Sequence, residues 1–107
     1  MWKNLETIEQ LDQIIKDSND KEIAIFKHST RCGISRMVKR GFESELNAKP
    51  EISADVYYLD LIQFRNVSNQ IAERLKVVHQ SPQLIVIKNG QAIHDASHHS
   101  INADKIN

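Results

Sequence analysis

Apolar residues recur along this chain with two different periods, and the switches between them mark out its elements. Leu5, Ile8, Leu11, Ile14 and Ile15 follow helical spacing, and Thr7 with Gln10 three residues later has the form of a capping box. A helix is therefore predicted over 8 to 18, ended by the polar run Asp17-Ser18-Asn19-Asp20. Ile23 to His28 reads as a short apolar strand. Ile34, Val38, Phe42 and Leu46 then fall four residues apart, which places them on one buried face of a second helix running to about Ala48, before Pro50. Val56-Tyr57-Tyr58-Leu59 is rich in strand formers, and Asn66 precedes Val67, Ile71 and Leu75, again four apart, giving a helix over about 67 to 76.

Beyond Pro82 the period returns to that of strands, with Leu84-Ile85-Val86-Ile87-Lys88 and Gln91-Ala92-Ile93-His94-Asp95 separated by Asn89-Gly90. Asn-Gly between two such runs is a strong hairpin signal, because both turn residues tolerate positive φ. Ser100 is a candidate cap for a short helix near 101 to 106. The predicted order is α-β-α-β-α-β-β-α, which implies an α/β domain: a four-stranded mixed sheet with helices on both faces. The first two strands should be parallel through a crossover helix, and the last pair an antiparallel hairpin.

Length and composition narrow the possibilities without choosing among them. A chain of 107 residues is one domain with one core, spanning 1 to 107. Lys and Arg together number 14 and so do Asp and Glu, so the overall charge gives no reason to expect nucleic acid or an anionic membrane as a partner. The start, Met1-Trp2-Lys3-Asn4, has no apolar signal segment, and no apolar run approaches spanning length, so a cytoplasmic location is expected.

Candidate chemistry centres on Cys32, the single cysteine. It follows the predicted strand by the link Ser29-Thr30-Arg31 and precedes Gly33-Ile34-Ser35, so it should lie at or just before the first turn of the second helix. Unpaired backbone N–H groups and the positive end of the helix dipole favour thiolate there. Arg31 adds a neighbouring cation. Ser35 stands where a C-x-x-C frame would have its second cysteine, so an internal disulfide is impossible and any chemistry is monothiol. Ser35 has two possible uses, a hydrogen bond to the thiolate or a local backbone bond. Lys27, Arg36, Lys39 and Arg40 gather around the motif, but such runs usually form a solvated helix face, and His28 is as readily a strand-end residue as a titrating group near the sulfur. His94, His98 and His99 invite a metal reading, which the want of a second cysteine or a carboxylate pair at ligand spacing argues against, so no metal and no bound cofactor are expected.

A cysteine opening the helix after an early strand, a proline directly before a hairpin strand, and an Asn-Gly turn together resemble the thioredoxin fold. More closely, Phe26-Lys27-His28-Ser29-Thr30-Arg31-Cys32-Gly33-Ile34-Ser35, Ile71-Ala72-Glu73-Arg74, His79-Gln80-Ser81-Pro82-Gln83-Leu84-Ile85-Val86, Lys88-Asn89-Gly90 and Ala96-Ser97-His98 are similar to the YtxJ-type monothiol bacilliredoxins. The resemblance implies a thioredoxin-like fold with Pro82 cis and its loop facing the sulfur, Ser81 lining the site, and Cys32 as the nucleophile. It also implies a thiol–disulfide oxidoreductase whose co-substrate is a low-molecular-weight thiol, bacillithiol, with S-thiolated client proteins and a disulfide reductase as partners. Glutathione or coenzyme A would satisfy the same residues. Gly33 departs from the family's usual Cys-Pro-Ile-Ser, and a glycine at a first helical position is less preorganised than proline. The rival class is a thioredoxin-like binding module that meets partners through the cis-proline surface, with Cys32 incidental or a slow redox sensor.

Overall fold

A computed structural model describes residues 2–29, 33–49, 52, 54–103 and 106, with the side chains of Trp2, Ile34 and His99 outside that description. The elements run β1 (Trp2–Asn4), α1 (Ile8–Asp17), β2 (Ile23–His28), α2 (Gly33–Asn47), β3 (Asp55–Asp60), α3 (Arg65–Leu75), β4 (Gln83–Lys88) and β5 (Gln91–Ser97), followed by a single 3-10 turn at His98–Ser100. The sheet is mixed and has the order β1-β3-β2-β4-β5. β2 pairs parallel with β3 and antiparallel with β4, and β4 with β5 forms the hairpin. Asn89 and Gly90 have φ of 54° and 74°, the positive values the turn requires.

The sheet has five strands where the sequence suggested four. β1 adds parallel to β3 through Trp2↔Val56, Lys3↔Tyr57 and Asn4↔Tyr58. Three residues carry no readable alternation, so its only signal is the partner strand. The chain's end also differs from the expected helix near 101 to 106: the described residues 101–103 and 106 are not helical, and the 3-10 turn closes at Ile101 in extended conformation. Ile101, Ala103 and Ile106 are buried in the core beneath α2. Glu45 accepts the Ala103 N–H at 2.7 Å and Lys49 donates to its carbonyl at 3.0 Å, so side chains of α2 satisfy the backbone that a helix would have satisfied internally. α3 begins one residue before Asn66, with Phe64 at the cap position. The Asp60 carboxylate accepts the Ile62 and Gln63 N–H groups in the preceding turn, while the Phe64 carbonyl takes those of Val67 and Ser68.

Each face of the sheet has its own core. Leu11 and Ile14 of α1 and Val67, Ile71 and Leu75 of α3 pack on Ile23, Ile25, Leu59, Ile85 and Ile87. On the other face Phe42 and Leu46 of α2 meet Ala24, Phe26, Val56, Leu84 and Val86, with the Phe26 and Phe42 rings stacked at 5.3 Å. β2 is central, so both of its faces are inside and all six of its residues are buried. The capping box at Thr7 forms as expected, since Thr7 Oγ1 accepts the Gln10 N–H at 3.1 Å and Gln10 Oε1 accepts the Thr7 N–H at 3.1 Å. At its other end α1 holds the hairpin: Ser18 takes the Asn89 N–H on its carbonyl and the Gly90 N–H on its hydroxyl, both at 2.8 Å.

Candidate active site at the end of the central strand

Lys27 and His28 close β2, and the burial of that strand keeps both polar side chains inside the protein. The strand alternation places them on opposite faces. Lys27 is wholly inaccessible, and its Nζ lies 2.7 Å from Nδ1 of His79, in the loop that leads to Pro82. Burial lowers the Lys27 pKa from 10.5 to about 8. His79 is also held below its ordinary value, first by burial and then by the Lys27 and Arg65 charges, so its neutral ring is the natural acceptor for the Lys27 ammonium.

On the α2 face, His28 is 3% exposed and its Nδ1 has no hydrogen-bond partner among the described residues. An unsatisfied buried group of this kind costs about 1–3 kcal/mol. The ring sits 5.5 Å from that of Tyr58 and 6.3 Å from that of Phe26. Burial lowers the His28 pKa, with the Lys39 and Arg36 charges acting in the same direction and Asp60 and the Ser35 backbone opposing them. The Tyr58 phenol is pushed up by burial and by the Asp60 and Glu43 charges, so it stays protonated at neutral pH.

Two loops meet at this end of the sheet. The register Lys27↔Gln83 brings the residues before β4 alongside the end of β2, and the peptide bond between Ser81 and Pro82 is cis. Pro82 is buried, Ser81 is half-buried, and the Pro82 carbonyl accepts the His98 N–H at 3.1 Å. The approach to the proline is wrapped around Gln83, which is buried, donates from Nε2 to the Val78 carbonyl at 2.9 Å and accepts the Gln80 N–H at 3.3 Å. Across from this loop α2 opens at Gly33. An added Cβ there meets nothing within 4 Å, and the positive-φ positions do not include it, so no left-handed conformation demands a glycine. Ser35 in the first turn is fully buried, and its hydroxyl lies at the outer limit of a hydrogen bond, 3.5 Å from the Ser29 N–H that it accepts. The bond ties the first turn of α2 to the residue that follows β2.

The predicted nucleophile Cys32 and its neighbour Arg31 lie outside the described residues. The structure does bring together the flanks of the motif, Ser29 with Ser35, at the level of the Ser81–Pro82 loop. It also gathers Arg36, Lys39 and Arg40 with His28, Glu43 and Tyr58 around a cleft of about 370 Å³, a grouping that sequence order alone had left as a solvated helix face. Lys27, His79 and Gln83 are not among the residues the sequence points to as a site, and His28 is there equally a strand-end residue or a titrating group near the sulfur. The available signal was the strand itself: Lys27 and His28 end a run apolar on both faces, and a doubly covered strand must bury whatever it carries. Among the described residues no group of three or more His, Cys, Asp or Glu side chains could hold a metal ion, and no helix is long and apolar enough to cross a membrane.

A helix opening just past the central strand, faced by a proline loop that leads into an antiparallel hairpin, is the frame of a thioredoxin-fold thiol–disulfide oxidoreductase. In three dimensions the chain is similar to a thioredoxin-fold protein described as an oxidoreductase, at 32% identity and a TM-score of 0.81, over 94% of this chain and 86% of that one. Thioredoxins from Fasciola hepatica (20% identity, TM-score 0.71, 89% of this chain and 85% of that one) and Schistosoma mansoni (17%, 0.70, 92% and 84%) share the fold. The family model described as monothiol bacilliredoxin BrxC matches residues 3–106, and the chain belongs to that family.

Proposed function

We propose that this protein removes a low-molecular-weight thiol, bacillithiol, from protein mixed disulfides, with Cys32 as the nucleophile. Membership of the monothiol bacilliredoxin family over residues 3–106 carries this reading, together with a single cysteine placed directly before α2. The Cys32 thiolate attacks the small-thiol sulfur of the mixed disulfide; that S–S bond breaks, the client leaves as its thiolate, and a new disulfide joins Cys32 to the small thiol. Ser35 rules out an internal second step by a C-x-x-C partner. A second small-thiol molecule or a disulfide reductase therefore resolves the adduct; attack by the small thiol releases a symmetrical small disulfide and the Cys32 thiolate.

The remaining site residues act on this exchange by position. The start of α2 and Arg31 favour thiolate over thiol at neutral pH. Ser81 and Pro82 offer backbone to the extended segment of a client held as a mixed disulfide. Such chemistry belongs in a reducing compartment, which fits a cytoplasmic location. The test is mass spectrometry of the reduced protein after incubation with the disulfides of bacillithiol, glutathione and coenzyme A, alongside client-release assays on Cys32→Ser. One small-thiol adduct on Cys32, formed fastest with bacillithiol, and no client release by the serine variant are expected. Retained release by Cys32→Ser would overturn the mechanism, and a faster adduct with glutathione or coenzyme A would overturn the choice of thiol.

A further inference from the structure

The cleft beside His28 has features that the exchange of sulfurs does not require. It is bounded by the end of β2, by Tyr58 of β3 and by the first three turns of α2, and its volume of about 370 Å³ suits a ligand of tripeptide size. Its charges are lopsided. Lys39 is bound to Glu43 at 2.9 Å and lies 4.8 Å over the Tyr58 ring, so those two charges largely offset one another. Arg36 and Arg40 remain, both exposed, four residues apart on one helical face, and without an ion-pair partner among the described residues. Like charges at that spacing repel, and an anion between them relieves the repulsion. Independently of the arginines, the cleft wall includes His28, almost completely buried and with no partner for its Nδ1 among the described residues.

We propose that this cleft binds the carboxylate-bearing portion of the small thiol, with Arg36 and Arg40 engaging carboxylate oxygens and His28 hydrogen-bonding the ligand. The inference rests on the exchange reaction proposed above and names the chemistry of its small partner: an anionic, carboxylate-carrying thiol rather than a neutral or cationic one. The helix sets the reach. Arg36 and Arg40 lie three and seven residues beyond Gly33, about 4.5 and 10.5 Å along the axis at 1.5 Å per residue. A thiol with its sulfur at the start of α2 and its carboxylates several bonds away spans that interval. Guanidinium groups suit the task because their planar forks match carboxylates in pairs.

The test uses S-methylglutathione, which has two carboxylates and no reactive sulfur, titrated into the Cys32→Ser protein and followed by NMR. Saturable shifts on residues 36–43 and on the His28 ring are expected at millimolar probe, with at least fivefold weaker binding in Arg36→Gln/Arg40→Gln. S-methylcysteamine, which lacks carboxylates, should leave those signals in place. Equal binding of the two probes, binding indifferent to both arginines, or no saturable shift would overturn the proposal. So would capture of a tetraglutamate peptide in preference to S-methylglutathione, which would make the cleft a contact for acidic clients. Because the probe undergoes no exchange, any of these failures leaves the Cys32 mechanism standing. Client release by Cys32→Ser would remove that mechanism and leave the titration readable.

Discussion

Replacing Lys27 with methionine should make this protein more stable at neutral pH, although it deletes a charge and a 2.7 Å hydrogen bond to His79. The lysine is fully inaccessible, and its pKa of about 8 against an ordinary 10.5 measures how much the folded state disfavours its charge. Each tenfold change in a protonation constant is about 1.4 kcal/mol, so at pH 7 the charged side chain costs the fold at most about 3 kcal/mol. Methionine has a similar length and no charge to desolvate. The lost hydrogen bond offsets about 1 kcal/mol, because His79 is exposed and can bond to water instead. The net gain is about 2 kcal/mol, or roughly 10 °C in Tm for a chain of this size.

The pH dependence distinguishes this account from simple improvement in packing. Between pH 8 and 10.5 the unfolded chain keeps the Lys27 proton while the folded chain has released it, so wild-type stability rises with pH across that window. Lys27→Met has no such proton, so its advantage should be complete below pH 8 and should shrink by up to about 3 kcal/mol as pH reaches 10.5. Urea unfolding of both proteins at pH 7, 8, 9 and 10.5 reads the difference, with other titrating groups common to the two. A variant less stable at pH 7, or a difference constant over the series, would refute the assignment of Lys27 as a buried, depressed cation.

Two further substitutions probe the frame of the site. Gly33→Pro should raise stability by about 0.4–1 kcal/mol in thermal or urea melts, because the first helical position needs no intrahelical N–H bond, has no left-handed φ, and leaves open space for a ring; a loss would show that the Gly33 N–H is bonded to something the helix does not supply. Ser18→Ala should cost about 1–3 kcal/mol by freeing the Gly90 N–H, now bonded to the hydroxyl at 2.8 Å, and should speed amide exchange at Gly90 while leaving exchange in β2 unchanged, since the loss is confined to the hairpin turn.

Periodicity made α1, β2, α2 and the hairpin legible because each repeats a pattern over several residues. What escaped it was set by partners distant in sequence. β1 exists only through β3, and Ala103 is held against α2 because the Glu45 and Lys49 side chains capture its backbone. The start of α3 shifted because the Asp60 carboxylate takes two N–H groups that a local reading would assign elsewhere. At the candidate site, the strand-to-helix junction and Pro82 could be read from residue order. The company that Arg36 and Arg40 keep could not, because nothing between residues 28 and 58 indicates that His28 and Tyr58 face the same helix turns.

The last two residues of β2 connect the fold to the chemistry. Through Phe26 the strand does what a doubly covered strand should, and continuing with Val or Ile would have been the stabilising choice. Instead Lys27 and His28 bring a desolvated cation and a ring nitrogen with no partner among the described residues into the interior, one on each face, immediately before the loop to Cys32. Their contacts divide the two sides of the site. Lys27 reaches through His79 to the loop that carries Ser81 and Pro82, where a client segment would lie, and His28 faces the arginine cleft of α2, where the small thiol would lie. A mixed disulfide has two unlike halves, and a site that exchanges one for the other needs different surfaces on either side of the sulfur. Strand alternation supplies that difference within two residues, because Lys27 and His28 must point to opposite faces of the sheet. Exchanging them, in Lys27→His/His28→Lys, would therefore keep the composition of the strand and put a cation into the aromatic pocket beside Phe26 and Tyr58. That variant should be less stable than either single change to an apolar residue, measured by urea unfolding at pH 7, and equal stability would show that the two faces do not discriminate between the two side chains.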